Sequence, residues 1–277
     1  MSASVVLRRR LGNQLRELRL AAGLHQEQLA ERLDVSLKTI QRVEAAENTI
    51  RAGHLTGWLE ACGADRETRE RLTELGQQAR KRGGWWSTYR DLLAGPYVQL
   101  EDEATMVCNY ESSLIPGLLH TEEYARAVIT SDATVHEEEL ERRTAARMKR
   151  QERLTGDNPL ELRAVVDEAA LRRPAGGPQV MRAQLERMVE LAELPNISIR
   201  VIPFSAGTYL ANGLSFVILK FAHPIDPDIV IAETLAGEKY FDQAEELSMY
   251  NSVFEETRAL ALKDEDSVKL VERLMAE

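Results

Sequence analysis

Lys38, Gln41 and Arg42 are spaced so that one face of a helix would carry all three. Lys38 and Arg42 stand one helical turn apart, and either can donate hydrogen bonds to the edge of a guanine base. Ile40 and Val43 fall on the opposite, apolar side. This pattern predicts a helix that buries one face in a core and can place the other in the major groove of DNA.

Residues 26–44 contain the elements that would position this helix. They predict two short helices with a tight turn between them, which is the arrangement of a helix-turn-helix. Ala30 is small where the second helix must cross the first, and Asp34 tolerates the left-handed backbone of the turn. Ser36 can cap the second helix. An amphipathic hairpin without a DNA partner is the alternative, because leucines at this spacing occur in any helical bundle.

This segment resembles the Xre family of phage-repressor-like DNA-binding domains, which have five helices. The likeness rests on residues at fixed offsets: Gln26, Ala30, Val35, Ser36, Thr39, Ile40 and Glu44. The resemblance implies a phosphate contact for Gln26, backbone support from Thr39, and a buried ion pair between Arg19 and Glu44. It implies base contacts for Leu37, Lys38 and Arg42. The residues that we assign to DNA contact are Gln26, Ser36, Leu37, Lys38, Thr39, Gln41 and Arg42.

The sequence departs from the family pattern at two points. The family's Glu-Arg-Gly after the second helix is Glu44-Ala45-Ala46 here, and the Gly that is common in the turn is Asp34. Both changes concern the geometry of loops. They leave DNA binding as the expected function.

The charge distribution indicates two domains. The chain has a formal net charge of −10, which taken alone argues against a nucleic-acid partner. Residues 1–83 hold 15 Lys/Arg and 11 Asp/Glu, hence +4, and residues 84–277 hold 20 and 34, hence −14. We therefore predict a DNA-binding domain at 1–82 and a second domain at 83–277. So small a positive charge suits a homodimer that joins two half-sites of a two-fold operator.

Apolar periodicity and β-rich runs predict the secondary structure of both domains. The first domain, predicted to be all α with five helices, has further helices at 5–22, 52–62 and 66–82. The second has helices at 121–131, 135–154, 178–193, 243–262 and 264–275, and strands at 160–166, 197–202, 214–219 and 229–232. The second domain is therefore predicted to be α+β with an antiparallel or mixed sheet.

Several segments of the second domain resemble an actinobacterial group of Xre regulators, the WhiJ-like or antitoxin-like group. They are residues 114–127, 147–151, 167–177 and 201–204. The resemblance implies a transcriptional regulator whose C-terminal domain, of uncertain role, binds a small BldB-like partner protein or a small-molecule effector. The alternative that it leaves open is an antitoxin-like adaptor that acts mainly by binding such a partner.

Four residues of the second domain are candidates for contact with a ligand or partner: His120, Arg147, Arg150 and Tyr209. Arg147 and Arg150 could form a site for an anion. The alternative is that their helix is a solvated surface, paired with residues 137–139 and other acidic residues at i, i+4 spacing. Tyr209 lies in a predicted loop between strands, where pocket residues often sit.

An enzyme is the rival class of function. His136-Glu137 opens an apparent zinc motif, but the second His would stand at position 140, which is Leu140. Cys62 and Cys108 have no partner at metal-ligand spacing, and glycine-rich phosphate-binding spacings are absent from the sequence. We therefore predict no catalytic residue, no cofactor and no metal. Because no apolar window has the length of a membrane span, we expect no membrane contact and a cytoplasmic protein.

Overall fold

The computed structural model describes residues 5–80, 84–89, 91–92, 95–223, 226–234 and 237–277. The chain forms two compact units, Met1–Thr88 and Tyr89–Glu277, here called unit 1 and unit 2. The predicted domain boundary lies between residues 82 and 83, and residues 81–83 are outside the described ranges. Within those ranges, no helix combines the length and the apolar character needed to cross a membrane.

Unit 1 is all helical in its described part, as predicted. Its five α-helices are α1 (Val5–Ala21), α2 (Gln26–Arg32), α3 (Leu37–Glu44), α4 (Ala52–Ala61) and α5 (Arg66–Arg80), and a 3₁₀ turn follows at Trp85–Tyr89. The last two residues of the predicted helix 66–82 lie outside the described residues.

The core of unit 1 fixes α3 against α1 and α4. Leu15, Ile40 and Trp58 are at most 1% exposed, and Trp58 Nε1 donates to the Leu15 carbonyl oxygen at 3.2 Å. The approach of α1 to α3 is so close that a Cβ at Gly12 would lie 2.7 Å from the carbonyl oxygen of Val43. The orientation of α3 is therefore set by packing on its inner side and not by its outer residues.

Unit 2 is α+β. Its helices are α6 (Tyr97–Glu103), α7 (Glu122–Thr130), α8 (Glu137–Gln151), α9 (Glu168–Arg172), α10 (Pro178–Ala192), α11 (Ala244–Leu260) and α12 (Asp264–Ala276). Its strands are β1 (Met106–Glu111), β2 (Glu161–Asp167), β3 (Ile197–Ile202), β4 (Ser215–Lys220), β5 (Ile229–Thr234) and β6 (Gly237–Phe241). Short 3₁₀ turns lie at Gly117–Leu119, Glu152–Leu154 and Phe204–Ala206.

The six strands form one mixed sheet in the order β3-β2-β1-β4-β5-β6. The strands β1, β2 and β3 are parallel, and β4, β5 and β6 continue the sheet antiparallel. This confirms the predicted fold class. The predicted strands include neither β1, which occupies a central position, nor the edge strand β6.

The two faces of the sheet carry different side chains on β1. Cys108 and Tyr110 belong to an apolar cluster that includes Phe216 of β4 and Phe254 of α11. Because side chains alternate along a strand, the neighbouring polar residues of β1 lie on the opposite face. One face of the sheet is thus an aromatic core against α11, and the other can present polar groups.

Candidate functional site

The helix-turn-helix of unit 1 consists of α2, a turn at Asp34 and α3. Asp34 has a φ of 51°, which is the left-handed conformation expected from its position. The Ser36 hydroxyl caps α3 by accepting from the backbone N–H of Thr39 at 3.2 Å. The turn and the cap together end α2 and start α3 at the predicted residues.

The outer face of α3 is open to solvent. Lys38, Gln41 and Arg42 are exposed, and Ile40 and Val43 are buried on the other side. Arg42 Nε lies 3.4 Å from a Glu47 carboxylate oxygen, and both side chains are about half exposed. Such a surface pair is worth little, so the guanidinium of Arg42 is available to another acceptor.

The other predicted contact residues lie around the start of the two helices. Leu37 and Thr39 are partly buried at the N-terminus of α3, and the Thr39 hydroxyl is 2.9 Å from that of Ser36. Gln26, the first residue of α2, points toward α3, and its Nε2 donates to a carboxylate oxygen of Glu44 at 2.7 Å. Gln26 therefore helps to hold α3 in place through its hydrogen bond to Glu44.

A buried ion pair holds α3 against α1. Arg19 Nε donates to Glu44 Oε1 at 2.6 Å and Arg19 Nη2 donates to Glu44 Oε2 at 2.9 Å. A third donor, Nη1, bonds the Leu24 carbonyl oxygen at 2.7 Å. The hydrogen bond to Glu44 raises the pKa of Arg19, so the guanidinium stays charged in this buried position. The ion pair implied by the Xre resemblance is confirmed.

A groove of about 430 Å³ lies beside α3. Besides Ser36 and Thr39 it is lined by polar residues that the sequence analysis did not single out, namely Asn48, Thr49, Arg51 and His54. Arg51 is the N-cap of α4, so the unpaired backbone N–H groups of that helix begin at the groove. A run of polar residues directly before a predicted helix is the sequence signal that could have identified these residues as hydrogen-bond donors to an anion.

Ala46, just after α3, has a left-handed backbone with a φ of 57°. This is the position at which the Xre pattern has Gly, and the conformation costs a residue with a Cβ about 1–2 kcal/mol. Ala46→Gly should therefore stabilise unit 1 by about 1 kcal/mol, measured by denaturant unfolding of the full chain. Tryptophan fluorescence is the appropriate signal because Trp58, Trp85 and Trp86 all belong to unit 1.

Ala45→Gly is the matched control for this substitution. Ala45 has a φ of −80°, so glycine relieves nothing there and only adds freedom to the unfolded chain. We expect the control to be slightly less stable than the wild type. Equal midpoints for both variants would contradict strain at Ala46.

The structure brings two of the four candidate residues of unit 2 into contact. His120 is buried, and its Nε2 donates to the Ile115 carbonyl oxygen at 2.7 Å. Burial and the charge of Arg147 lower the pKa of His120 to about 3, so the ring is neutral at physiological pH. Its Nδ1 is then an acceptor, and Arg147 Nη1 lies 3.3 Å from it. His120 therefore positions the Arg147 guanidinium.

Arg150, one turn along α8 from Arg147, is fully engaged by side chains of α6. Its Nε and Nη2 each donate to Glu101 at 2.7 Å, and its guanidinium lies over the Tyr97 ring at 5.0 Å. The side chains of Arg150 and Glu101 are 11% and 4% exposed. Burial lowers the pKa of Arg150, but the charge of Glu101 outweighs it and the net shift is upward.

The alternative prediction for α8, a solvated surface whose basic residues pair with acidic residues one turn away, holds for only part of this helix. Arg143 pairs with Glu139 one turn away, and Arg142 pairs with Asp91. Arg147 and Arg150 point into the interior of unit 2. The basic residues of α8 thus divide into Arg142 and Arg143, which are partly exposed and paired with carboxylates, and the more deeply placed Arg147 and Arg150.

Tyr209 lies apart from the other three candidates. Its hydroxyl donates to Asp167 at the end of β2 and is 2.8 Å from the hydroxyl of Tyr110. Asp167 also caps α9 through the backbone N–H of Ala169. Tyr209 packs against the aromatic face of the sheet, so it and Arg147 do not form one site.

Each of the two units matches a known protein family. Residues 10–72 match a family described as a helix-turn-helix domain, and residues 95–273 match the family described as Domain of unknown function (DUF5753). No curated protein and no solved structure matches the chain. The first match spans α2 and α3, so unit 1 carries the helix-turn-helix of a DNA-binding regulator. Because the second match covers more than half of the chain, the protein belongs to the DUF5753 family, here with an N-terminal helix-turn-helix domain.

Proposed function

We propose that this protein is a sequence-specific transcriptional regulator of the Xre type that reads DNA with α3. The observation that carries the proposal is the division of α3 into two sides. Its inner side is locked by the core and by the Arg19–Glu44 pair, while Lys38, Gln41 and Arg42 are exposed on its outer side. A rigid helix with exposed donors is what direct readout of base edges requires.

The groove beside α3 supports contact with the DNA backbone. Arg51 and the N-terminus of α4 supply a positive side chain and free backbone N–H groups beside Ser36 and Thr39. Such donors bind phosphate without regard to sequence and fix the register of the reading helix. We propose that Gln26, whose amide is oriented by Glu44, donates its second N–H to a phosphate.

The proposal includes a homodimer acting in the cytoplasm on a two-fold operator. One α3 reads a single half-site, and the charge of +4 on residues 1–83 is small for tight binding by a monomer. Two copies with their reading helices about 34 Å apart would occupy adjacent turns of the duplex. We assign unit 2 the binding of an effector or of a small BldB-like partner, as in the actinobacterial WhiJ-like group, and no catalytic step.

An antitoxin-like adaptor is the second candidate, and one surface feature favours it. Phe204, Leu210 and Leu214, in the segment between β3 and β4, are each more than half exposed. Exposed apolar side chains close in sequence are typical of protein-binding surfaces. The Lys38→Ala/Arg42→Ala double variant separates the two functions, because an adaptor would keep its cellular effect and a DNA-reading regulator would lose it.

Arg42→Ala tests the reading role directly. A lost guanine contact costs about 1–3 kcal/mol of discrimination, so binding-site selection with the full chain should return a motif relaxed at one base pair per half-site. The control is Arg66→Ala on α5, where the Arg66 side chain is 91% exposed and lies outside the helix-turn-helix. An unchanged motif for Arg42→Ala would show that Arg42 does not read a base.

A further inference from the structure

A cavity of about 310 Å³ lies within unit 2 between helices and strands. Three arginines of α8 line it, Arg143, Arg147 and Arg150, together with an apolar wall formed by Val98, Ile129 and Ala146. Arg143 is paired with Glu139 and Arg150 with Glu101. Glu233 of β5 and Glu238 of β6 are also in its lining, and they are directly paired in the sheet register. A volume of this size suits a small organic molecule.

Arg147 is the unusual group in this cavity. A guanidinium has five N–H donors, and the contact to His120 Nδ1 occupies one of them. In the described part of the chain, no carboxylate comes within 4.0 Å of Arg147 to form a salt bridge. Burial and the neighbouring charge of Arg150 lower the pKa of Arg147 to about 10, so it is still a cation at neutral pH. Arg147 is partly buried and its remaining N–H donors are in contact with solvent, so an anion in the cavity can accept hydrogen bonds from them.

The carboxylates around Arg147 do not supply that anion. Glu101 is held by Arg150 through both of its oxygens. Glu111 of β1 is close enough for the charge of Arg147 to act on it, but burial raises the pKa of Glu111 to about 7. It is therefore partly protonated near neutral pH. Glu233 is exposed to solvent and makes no salt bridge with Arg147 among the described residues.

We propose that this cavity binds a small aliphatic carboxylate, with the carboxylate on Arg147 and the hydrocarbon body against Val98, Ile129 and Ala146. The inference rests on the proposed effector-binding role of unit 2 and names the chemical class of the effector. A planar guanidinium matches a carboxylate in a two-point contact. Phosphate and other dianions are disfavoured because Arg143 and Arg150 are already paired with carboxylates, and Glu233 and Glu238 add negative charge to the lining.

The source of the carboxylate is either a simple organic acid or an amino acid. Hexanoate and norleucine distinguish the two, because they share the carboxylate and the carbon chain and differ in one ammonium group. If the natural ligand is an amino acid, its ammonium group is placed by the carboxylates of Glu233 and Glu238, and norleucine binds more tightly than hexanoate. If it is a simple acid, hexanoate binds more tightly.

Isothermal titration of the full chain with hexanoate, norleucine and inorganic phosphate tests the proposal. We expect binding of at least one of the two carboxylates and none of phosphate. Arg147→Met should weaken that binding about tenfold or more, and Arg147→Lys, which keeps the charge but loses the planar fork, should weaken it less. The control is Arg182→Met on α10, since Arg182 is an exposed residue paired with Glu186 and should leave binding unchanged.

A melting curve recorded without any of these three compounds distinguishes a role of Arg147 in ligand binding from a role in stabilising the fold. Removing a cation that lacks a counterion should leave the melting temperature of Arg147→Met equal to or above that of the wild type. The proposal is overturned if neither carboxylate binds at millimolar concentration, if Arg147→Met binds as well as the wild type, if phosphate binds as well as the carboxylates, or if Arg147→Met melts lower. A gel shift with operator DNA is scored separately, so failure of DNA binding counts against the proposed function alone.

Discussion

Glu44→Ala should destabilise unit 1 by about 3–5 kcal/mol, because it leaves the buried charge of Arg19 without its counterion. The side chains of Arg19 and Glu44 are 6% and 4% exposed, so water cannot replace the lost carboxylate. The Gln26 amide also loses its acceptor. A loss of this size is a large part of the stability of a small domain, and a fraction of the chains should be unfolded in unit 1 at room temperature.

Glu44→Gln and Glu70→Ala complete this experiment. The glutamine keeps an acceptor for Arg19 but not the charge, so its loss of stability should be intermediate. Glu70 pairs with Arg66 on the surface, with side chains 67% and 91% exposed, and its removal should change stability by less than about 1 kcal/mol. Denaturant unfolding followed by tryptophan fluorescence reports unit 1 alone. Equal losses for Glu44→Ala and Glu70→Ala would refute the energetic role of the buried pair.

Unit 1 could be predicted closely from the sequence because its determinants are local. Ser36 lies three residues before the amide that it caps, and Asp34 lies in the turn that it forms. The Arg19–Glu44 pair joins residues 25 apart and is outside the reach of local rules, and it entered only through the resemblance to the Xre family. Ala46 shows the limit of the pattern, since it adopts the backbone of the absent glycine.

The sheet of unit 2 was correctly predicted to be antiparallel or mixed, but its central strand β1 was not predicted. The strand β1 contains Cys108, Asn109 and Glu111, which lack the alternation of β-branched residues that identifies a strand. Its extended form comes from pairing with β2 on one side and β4 on the other. These contacts join distant parts of the chain, so tertiary structure overrides the weak local propensity.

The contact of His120 with Arg147 illustrates why a site is harder to predict than a fold. Both residues were candidates, but 27 positions separate them and only the packing of the Gly117–Leu119 turn against α8 brings them together. Arg147 and Arg150 have the same side chain and lie on adjacent turns of α8, yet Arg150 is paired with a carboxylate and Arg147 is not. The difference is made by Glu101 on α6, a helix that the sequence analysis did not identify.

Glu101→Ala should destabilise unit 2 by about 3–5 kcal/mol, for the same physical reason as in unit 1. Arg150 is 11% exposed and keeps only the Tyr97 hydroxyl, 3.2 Å from its Nη2, once the carboxylate is gone. Calorimetry of the full chain measures the loss, and tryptophan fluorescence recorded in parallel shows whether it falls outside unit 1. Glu186→Ala, which breaks the exposed Arg182–Glu186 pair, is the matched control and should have little effect.

A double variant separates the cost of the stranded charge from the loss of packing around it. In Glu101→Leu/Arg150→Met both charges are absent and the aliphatic volume is largely kept, so much of the lost stability should return. If the double variant were as unstable as Glu101→Ala, the stability of this region would depend on the hydrogen-bond geometry with Tyr97 and not on charge balance. Recovery would mean that the pair contributes specificity of packing more than net stability, because apolar side chains at the same two positions would hold α6 against α8 equally well.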